Sequence, residues 1–354
     1  MSTSKIFRIS GLPLEIDIDT LREALRLKQE GIDIKATISP CCSDPGTKVA
    51  IVEFKPCAPS YLKDVISGAR PDHQIEMNDD HDDLNIDMDF YGLTQLYATP
   101  HKADITADIV AVTGIAGHAF GSWRGKGNLR RMWLQDFLKK DLPRCRTMIF
   151  GYDSRLDSPG AHEMQDYRDN LLTELKKART SDQEQNRPII FIGHSFGGIV
   201  ITQALVKSRD SNPASDPDTY AIYRATYATL FFGTPHRGFN VKSLTKMVDR
   251  RKSEERLSLL NSIGTDSPLL EEGLKRFLTF AHQLKVVSFY EMLKSKTPEQ
   301  VTTGFERIGP YELSVPKESA LLGLDPEIEK TRHHCPSKGV PKEFISPRHR
   351  FSLA

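Results

Sequence analysis

Four short, continuously apolar runs recur along the chain after residue 108, separated by longer stretches that mix polar and apolar positions. The apolar runs are residues 109–112, 147–150, 189–192 and 229–232. The stretches between them are residues 130–139, 162–178 and 197–207, which have helical character. Short apolar runs of this kind are typical of parallel strands that are buried on both faces. Their alternation with helices predicts an α/β fold with a mostly parallel sheet flanked by helices.

Residues 1–90 follow another pattern, in which short strands and helices are predicted in the order βαββαβ. The predicted strands are residues 5–10, 32–38, 48–54 and 84–90, and the predicted helices are residues 20–31 and 60–67. This order predicts a small α+β unit of the ferredoxin-like type. We divide the chain into that unit, a linker at 91–107, an α/β domain at 108–325 and a basic, irregular tail at 326–354.

The βαββαβ order also resembles RNA-recognition motifs, which stack bases on aromatic side chains of their two central strands. The corresponding positions hold Arg8 on the first strand, and Val49 and Ile51 on the third. The net charge of the whole chain is only +1. Because the aromatic platform and a bulk positive field are both absent, we predict no nucleic-acid partner. Packing or protein contact is the preferred role of this unit.

The apolar run at 189–192 leads into Gly193-His194-Ser195-Phe196-Gly197, and a predicted helix follows. Strand, sharp turn and helix are the context of a nucleophile elbow, where a serine occupies a strained backbone conformation. Glycines two residues before and after the serine avoid a clash across the bend. We therefore interpret Ser195 as a catalytic nucleophile.

A serine that transfers acyl groups also needs hydrogen-bond donors for the developing oxyanion. The backbone N–H of Phe196, the residue after the nucleophile, is the expected first donor. The second donor normally comes from the loop after an early strand of the sheet. Here Gly114-Ile115-Ala116 follows such a strand, so the N–H of Ile115 is the predicted second donor.

Hydrolases with this elbow have their catalytic residues in the order serine, acid, histidine. The loop after the run at 229–232 has no carboxylate, so the acid is expected at Glu291, after a strand at 284–290. A last strand is predicted at 311–316. The histidine pair that follows gives His334 as the predicted base and His333 as the alternative.

The remaining histidines near these motifs receive other interpretations. His194 flanks the nucleophile and His236 ends a strand, but both precede the acid, so structural or pocket-lining roles are expected. His349 lies in the proline-marked tail, where a solvated role is preferred. About 50 residues of helical character precede the strand at 284–290. An apolar roof over the site and simple core packing are both open for them.

Five motifs in order resemble a eukaryotic family of serine esterases and lipases, the serine active-site-containing protein-like α/β-hydrolases. The family includes N-terminal hydrolase domains of many fungal proteins. The motifs are Thr113-Gly114-Ile115-Ala116-Gly117-His118 with Trp123, Gly151-Tyr152-Asp153-Ser154, Gly193–Gly198, Phe232-Gly233-Thr234-Pro235-His236 and Ser288-Phe289-Tyr290-Glu291.

The resemblance implies an α/β-hydrolase fold, a Ser-acid-His triad and lipid or other ester substrates. It also implies, for some members, association with mitochondria and the endoplasmic reticulum. Two departures stand out. Thr113 occupies a position that usually holds histidine, and the sequence after Ala320 lacks the usual Asp-His loop with its helix.

These observations predict a serine hydrolase that cleaves carboxylic or lipid esters through an acyl-serine, with no metal or organic cofactor. The alternative is a hydrolase-fold module without catalysis that acts as a sensor, adaptor or interaction domain. No apolar run approaches the roughly 20 residues of a membrane helix, and five cysteines without paired spacing favour an intracellular, cytoplasmic setting. Peripheral membrane contact and the oligomeric state are left open.

Overall fold

The computed structural model describes nine segments of the chain: residues 5–26, 31–77, 83–99, 105–125, 129–156, 161–248, 254–301, 304–325 and 327–332. They contain a five-stranded sheet, a seven-stranded sheet and a two-stranded hairpin. Within these segments, no helix is long and apolar enough to cross a bilayer.

The N-terminal unit is a five-stranded antiparallel sheet in the order β2-β3-β1-β5-β4, with two helices on one face. Its elements are β1 (Ile6–Leu12), α1 (Ile18–Arg26), β2 (Asp33–Pro40), β3 (Lys48–Lys55), α2 (Lys63–Ser67), β4 (Asp72–Ile75) and β5 (Leu84–Asp87). Alternation along the strands turns Phe7, Val52 and Phe54 to the helices, where they pack with Leu21 and Leu25. The predicted small α+β unit is confirmed; β4, which pairs with β5, is an additional strand.

The seven-stranded sheet has the order β14-β11-β10-β9-β7-β8-β6. Its strands are β6 (Gly92–Gln95), β7 (Ala107–Val112), β8 (Cys145–Gly151), β9 (Ile189–His194), β10 (Thr226–Phe232), β11 (Lys285–Glu291) and β14 (Ile328–Arg332). All neighbours pair in parallel except β6, which is antiparallel to β8. This order, with helices between the parallel strands, confirms the α/β-hydrolase fold.

The helices of this part flank the sheet on both faces. They are α3 (Trp133–Asp136), α4 (Leu138–Asp141), α5 (Met164–Lys177), α6 (Asp182–Asn186), α7 (Phe196–Asp210), α8 (Pro217–Ala225), α9 (Lys242–Thr245), α10 (Glu254–Ser262), α11 (Pro268–Ala281) and α12 (Lys317–Ala320). Helix α7 is buried over most of its length, because apolar residues such as Ile199 and Leu205 occupy several of its faces. Central helices of this kind fix the position of the turn that precedes them.

The last strand of the sheet differs from the prediction. Residues 311–316 were expected to form it, and this expectation is wrong. Part of that segment belongs to β13 (Gly304–Glu312), which pairs with β12 (Ser295–Val301) in a separate hairpin. The sheet instead ends with β14, which pairs with β11. The sequence Ile328-Glu329-Lys330-Thr331-Arg332 is polar, as suits an edge strand, and therefore gave no apolar run.

The predicted linker and tail also contribute strands to this sheet, since β6 lies within 91–107 and β14 within 326–354. The domain boundaries themselves stay predictions. The N-terminal sheet packs against the hydrolase part through polar and apolar contacts. Arg8, which also donates to Asp87 of its own sheet (2.7 Å), donates across this contact to the Tyr91 carbonyl (2.7 Å) and Thr94 Oγ1 (3.2 Å). Ile51 is buried in a cluster with apolar side chains of the hydrolase part.

Candidate active site

Ser195 lies in the turn between β9 and α7, with φ of 53° and ψ of −125°. A positive φ is uncommon outside glycine, and such strain accumulates at functional sites. Hydrogen bonds hold the turn on both sides. The Ser195 N–H donates to the Phe232 carbonyl (2.9 Å), and the Ser195 carbonyl accepts from the Gly198 N–H (3.0 Å). The backbone therefore makes the sharp, strained turn expected of a nucleophile elbow.

Gly197 allows the first turn of α7 to lie directly against the end of β7. A Cβ at this position would come within 2.3 Å of the carbonyl oxygens of Val112 and Thr113. Any side chain would therefore push the helix off the strand. The glycine keeps the N-terminus of α7 beside the loop that follows β7.

That loop passes next to the nucleophile. A Cβ on Gly114 would lie only 2.9 Å from the Ser195 Cβ, so the Gly114 backbone is in close contact with the serine. The loop then turns sharply at Ala116, which has φ of 52° and donates its N–H to the Ser154 carbonyl (2.8 Å). In the described part of the chain, the neighbouring Ile115 N–H donates no hydrogen bond.

Phe196 is the first residue of α7, so its N–H has no acceptor within the helix. The helix dipole adds partial positive charge at this end, which favours a developing oxyanion. The predicted donors, Ile115 and Phe196, thus belong to two segments that meet beside Ser195. Their backbone N–H groups are available for a ligand.

Thr113 occupies the position where the resemblance leads one to expect histidine. Its Oγ1 is buried and has no hydrogen-bond partner in the described residues. Its carbonyl accepts a 2.6 Å hydrogen bond from the Tyr152 hydroxyl. Burial raises the pKa of Tyr152 well above its usual value, so this hydroxyl remains a donor. The loop is therefore anchored by its backbone at this residue.

Glu291 ends β11 at the same carboxyl edge of the sheet as Ser195. Its Oε2 accepts from the Ser314 N–H at 3.3 Å. A Cβ on Gly233, the residue after β10, would lie 3.9 Å from Glu291 Oε1. Because β10 lies between β9 and β11, one oxygen of the carboxylate lies on the side towards Ser195.

The strand order sets the separation of serine and acid. Ser195 follows β9 and Glu291 ends β11, and with β10 between them these two strands lie roughly 10 Å apart. An imidazole with a hydrogen bond from each ring nitrogen spans about 8 Å, so one histidine fits between the two side chains. The spacing is therefore suitable for a triad.

The predicted catalytic bases cannot be placed relative to Ser195 and Glu291. The backbone of Arg332, the last residue of β14, lies opposite that of Glu291 in the parallel strand pairing. His334, the predicted base, its alternative His333 and the tail residue His349 all lie outside the described residues. Their roles stay predictions.

Two histidines near the elbow are packed within the protein. The ring of His194 lies edge-on to Trp123, with 6.3 Å between ring centroids. His236 packs its ring edge-on to Phe231 at 4.7 Å, and its backbone N–H donates to the Ser319 carbonyl at 2.9 Å. Burial, and then the charge of Arg237, lower the pKa of His236 to about 3. His236 is therefore neutral at physiological pH.

The sequence did not indicate a buried ion pair between α10 and the loop after β8. The fully buried guanidinium of Arg256, on α10, donates to Asp153 Oδ2 at 3.0 Å and also to the Tyr167 hydroxyl. Asp153 belongs to one of the five motifs, whereas Arg256 stands among leucines in a region interpreted only as apolar. A single arginine in such a helix gives no sequence signal of burial. The pair ties α10 to the loop after β8.

Sequence comparison relates this chain to one group of curated proteins. No family model matches it. Residues covering 65% of the chain match Protein SERAC1 from Danio rerio with 28% identity and from Mus musculus with 27% identity. The chain spans 36% of the length of these relatives. The resemblance indicated by the motifs is confirmed.

Structural comparison finds lipases and related hydrolases at low similarity. The mature lipase BlEst2 of Bacillus licheniformis is 14% identical, with a TM-score of 0.44 over 69% of this chain and 91% of that structure. Phospholipase PlaB from Legionella pneumophila is 12% identical, with a TM-score of 0.38 over 57% of this chain and 44% of that structure. The strand order of the seven-stranded sheet identifies the fold without these low similarities.

Proposed function

We propose that this protein is a serine hydrolase that cleaves carboxylic esters, including lipid esters, through an acyl-Ser195 intermediate. The observation that carries the proposal is the strained turn at Ser195, with φ of 53° and ψ of −125° at the N-terminus of α7. The close approach of Gly114 to Ser195 and the carboxylate of Glu291 two strands away also support it.

In the proposed reaction, a histidine removes the Ser195 proton while Oγ attacks the ester carbonyl. The backbone N–H groups of Ile115 and Phe196 donate to the resulting oxyanion. The imidazolium then protonates the departing alcohol, and water hydrolyses the acyl-serine by the reverse sequence of proton transfers. Glu291 orients the imidazole. His334 is the proposed base, with His333 as the alternative.

Lipid esters are favoured because apolar side chains are exposed just after the proposed acid. Met292 and Leu293 follow Glu291 directly and are 54% and 56% exposed. Ile308 and Tyr311, in the hairpin β12–β13, are 50% and 62% exposed. Adjacent exposed apolar side chains, such as Met292 and Leu293, suit contact with lipids or other apolar partners.

Hydrolysis of p-nitrophenyl acetate, octanoate and palmitate tests the proposal. Ser195→Ala should lower kcat about 10³-fold or more, because the nucleophile is removed. Glu291→Gln should lower kcat by about 10²-fold or more with little change in KM, since an amide cannot stabilise the imidazolium. The exposed residues Ser215 and Glu272 provide matched controls, and Ser215→Ala and Glu272→Gln should leave kcat unchanged.

The same assay separates the two histidines. His334→Ala should reduce kcat as strongly as Ser195→Ala, while His333→Ala should retain most of the rate. A reversed result would assign the base to His333. If the folded wild type hydrolyses none of the three esters, the esterase proposal is contradicted and the sensor or adaptor alternative is favoured.

A further inference from the structure

A cleft of about 250 Å³ lies between the N-terminal sheet and the segment that follows β7. On one side it is lined by the sheet face opposite α1 and α2, where β2 and β3 contribute Lys35 and Lys55. The other side is lined by residues between the end of β7 and α4, among them Arg124, Arg130 and Arg131. The cleft is open to solvent and is separate from the loop at Ser195.

Positive charge is concentrated in this cleft. Its lining contains five basic side chains and two acidic ones, Glu53 and Asp136, whereas the whole chain has a net charge of +1. Asp136 Oδ2 already accepts from the Met132 N–H at 2.9 Å. The cleft therefore carries a local excess of three positive charges, which attracts anions.

Arg124 is held towards this space by contacts on its own side of the cleft. Its Nε donates to the Arg130 carbonyl at 3.3 Å, and its guanidinium lies 5.8 Å from the centre of the Phe120 ring. The terminal guanidinium nitrogens of Arg124 have no hydrogen-bond partner in the described residues. Burial, and then the neighbouring Arg130 charge, lower the pKa of Arg124 from its ordinary value, although the carboxylates of Glu53 and Asp136 act in the opposite direction. Because the net shift is downward, a further anion beside the two guanidiniums would be favourable.

The backbone at Arg130 is strained where it lines the cleft. Arg130 has φ of 44°, a left-handed conformation that costs energy for a residue with a side chain. In this conformation its carbonyl accepts from Arg124, and Arg131 follows directly at the cleft. The strained residue thus connects the arginines that line this wall.

Phosphate is the anion that fits this set of donors best. Guanidinium groups bind phosphate oxygens in bidentate fashion, and several cations together match its multiple charge. A single-stranded RNA is a poorer fit. Ile51 on the same sheet face is buried under the hydrolase part, and Arg8 is engaged with Asp87. The central part of this face is therefore covered and cannot stack bases.

We propose that the cleft binds a small phosphate-bearing ligand, held between Lys35 and Lys55 of the N-terminal sheet and Arg124, Arg130 and Arg131 of the hydrolase part. A free phosphate ester and the headgroup of a phosphorylated lipid both have this chemistry. The ligand would bridge the two parts of the chain. This site is independent of ester hydrolysis at Ser195.

Calorimetric titration of the full chain with pyrophosphate tests the proposal. We expect saturable binding and a rise in Tm, because a ligand that binds only the folded state stabilises it. Lys35→Glu/Arg131→Glu should raise Kd at least tenfold and abolish the rise in Tm. Lys63→Glu/Lys140→Glu is the matched control, with the same change in charge at exposed positions outside the cleft, and should alter Kd less than twofold.

Two further probes distinguish the sources of phosphate. Binding of glycerol 3-phosphate without sedimentation on vesicles of phosphatidylcholine and phosphatidic acid would indicate a free ester. Sedimentation on these vesicles that is lost in Lys35→Glu/Arg131→Glu would indicate a lipid headgroup. Failure of pyrophosphate, glycerol 3-phosphate and vesicles to bind would overturn the proposal, as would equal loss in both double variants. Binding of single-stranded RNA through Lys35 and Arg131, with no binding of the small phosphates, would also overturn it.

Discussion

His236 is a buried histidine whose protonation we expect to destabilise the fold. The ring lies in an apolar setting beside Phe231, and its Nε2 is buried without a hydrogen-bond partner in the described residues. His118 is a second buried histidine, but both of its ring nitrogens have hydrogen-bond partners. Its Nδ1 accepts from the Phe120 and Gly121 N–H groups, and its Nε2 donates to the Met88 carbonyl at 2.6 Å. Burial lowers the pKa of His118 as well. Both rings are held in the neutral form.

Protonation of His236 should destabilise the folded protein in acid. The pKa of His236 is about 3 in the folded protein, whereas a histidine in an unfolded chain titrates near 6.5. Between these values the unfolded chain binds more protons, so stability falls as pH falls, by up to about 1.4 kcal/mol per pH unit for one such group. Urea unfolding between pH 7 and 4.5 should therefore show a shallower pH dependence for His236→Gln than for the wild type. His282→Gln, at an exposed position, is the control; equal slopes in the wild type and His236→Gln would contradict the assignment.

Helix α10 is tied to the loop after β8 through the charged side chain of Arg256. Arg256 is fully buried and pairs with Asp153, which is largely buried, at 3.0 Å. A buried charge without its partner is strongly destabilising. Removing both charges leaves Arg155, which also pairs with Asp153 at 3.1 Å, without this partner, and Arg155 is exposed to solvent. The position of α10, in the insertion between β10 and β11, should therefore depend on both residues.

A double-mutant cycle tests this anchor. Asp153→Asn and Arg256→Met should each lower the free energy of unfolding by about 3 kcal/mol. The double variant should lose less than the sum of the two, because the uncompensated charge disappears. The exposed pair Glu271–Lys275 on α11 provides a control cycle with little effect on stability. Additive losses at Asp153 and Arg256 in urea unfolding would show that the pair does not act as a unit.

Some elements were predictable from sequence and others were not, for physical reasons. Strands β7 to β10 are buried on both faces, so their apolar runs identify them directly. Strand β14 lies at the edge of the sheet and is polar, so periodicity does not reveal it. The elbow at Ser195 follows from local spacing of glycines. The burial of Arg256 could not be predicted, because it depends on Asp153, which lies 103 positions earlier in the chain.

At the scale of the whole molecule, the N-terminal unit and the hydrolase part form a continuous structure. Ser39 Oγ donates to the Gln95 carbonyl at 2.8 Å, so β2 contacts the segment that contains β6. His118, in the loop after β7, bonds to Met88 beyond β5. The loop that contributes Ile115 is therefore connected to the N-terminal unit. The role of the unit in packing or protein contact stays a prediction.

The proposed function requires Ser195 to be an activated nucleophile. Reaction of the folded protein with a fluorophosphonate, followed by mass analysis of peptides, tests this requirement. We expect a single adduct on the peptide that contains Ser195, absent in Ser195→Ala and in the heat-denatured wild type. A wild-type protein that is folded by circular dichroism and yet remains unlabelled would contradict it.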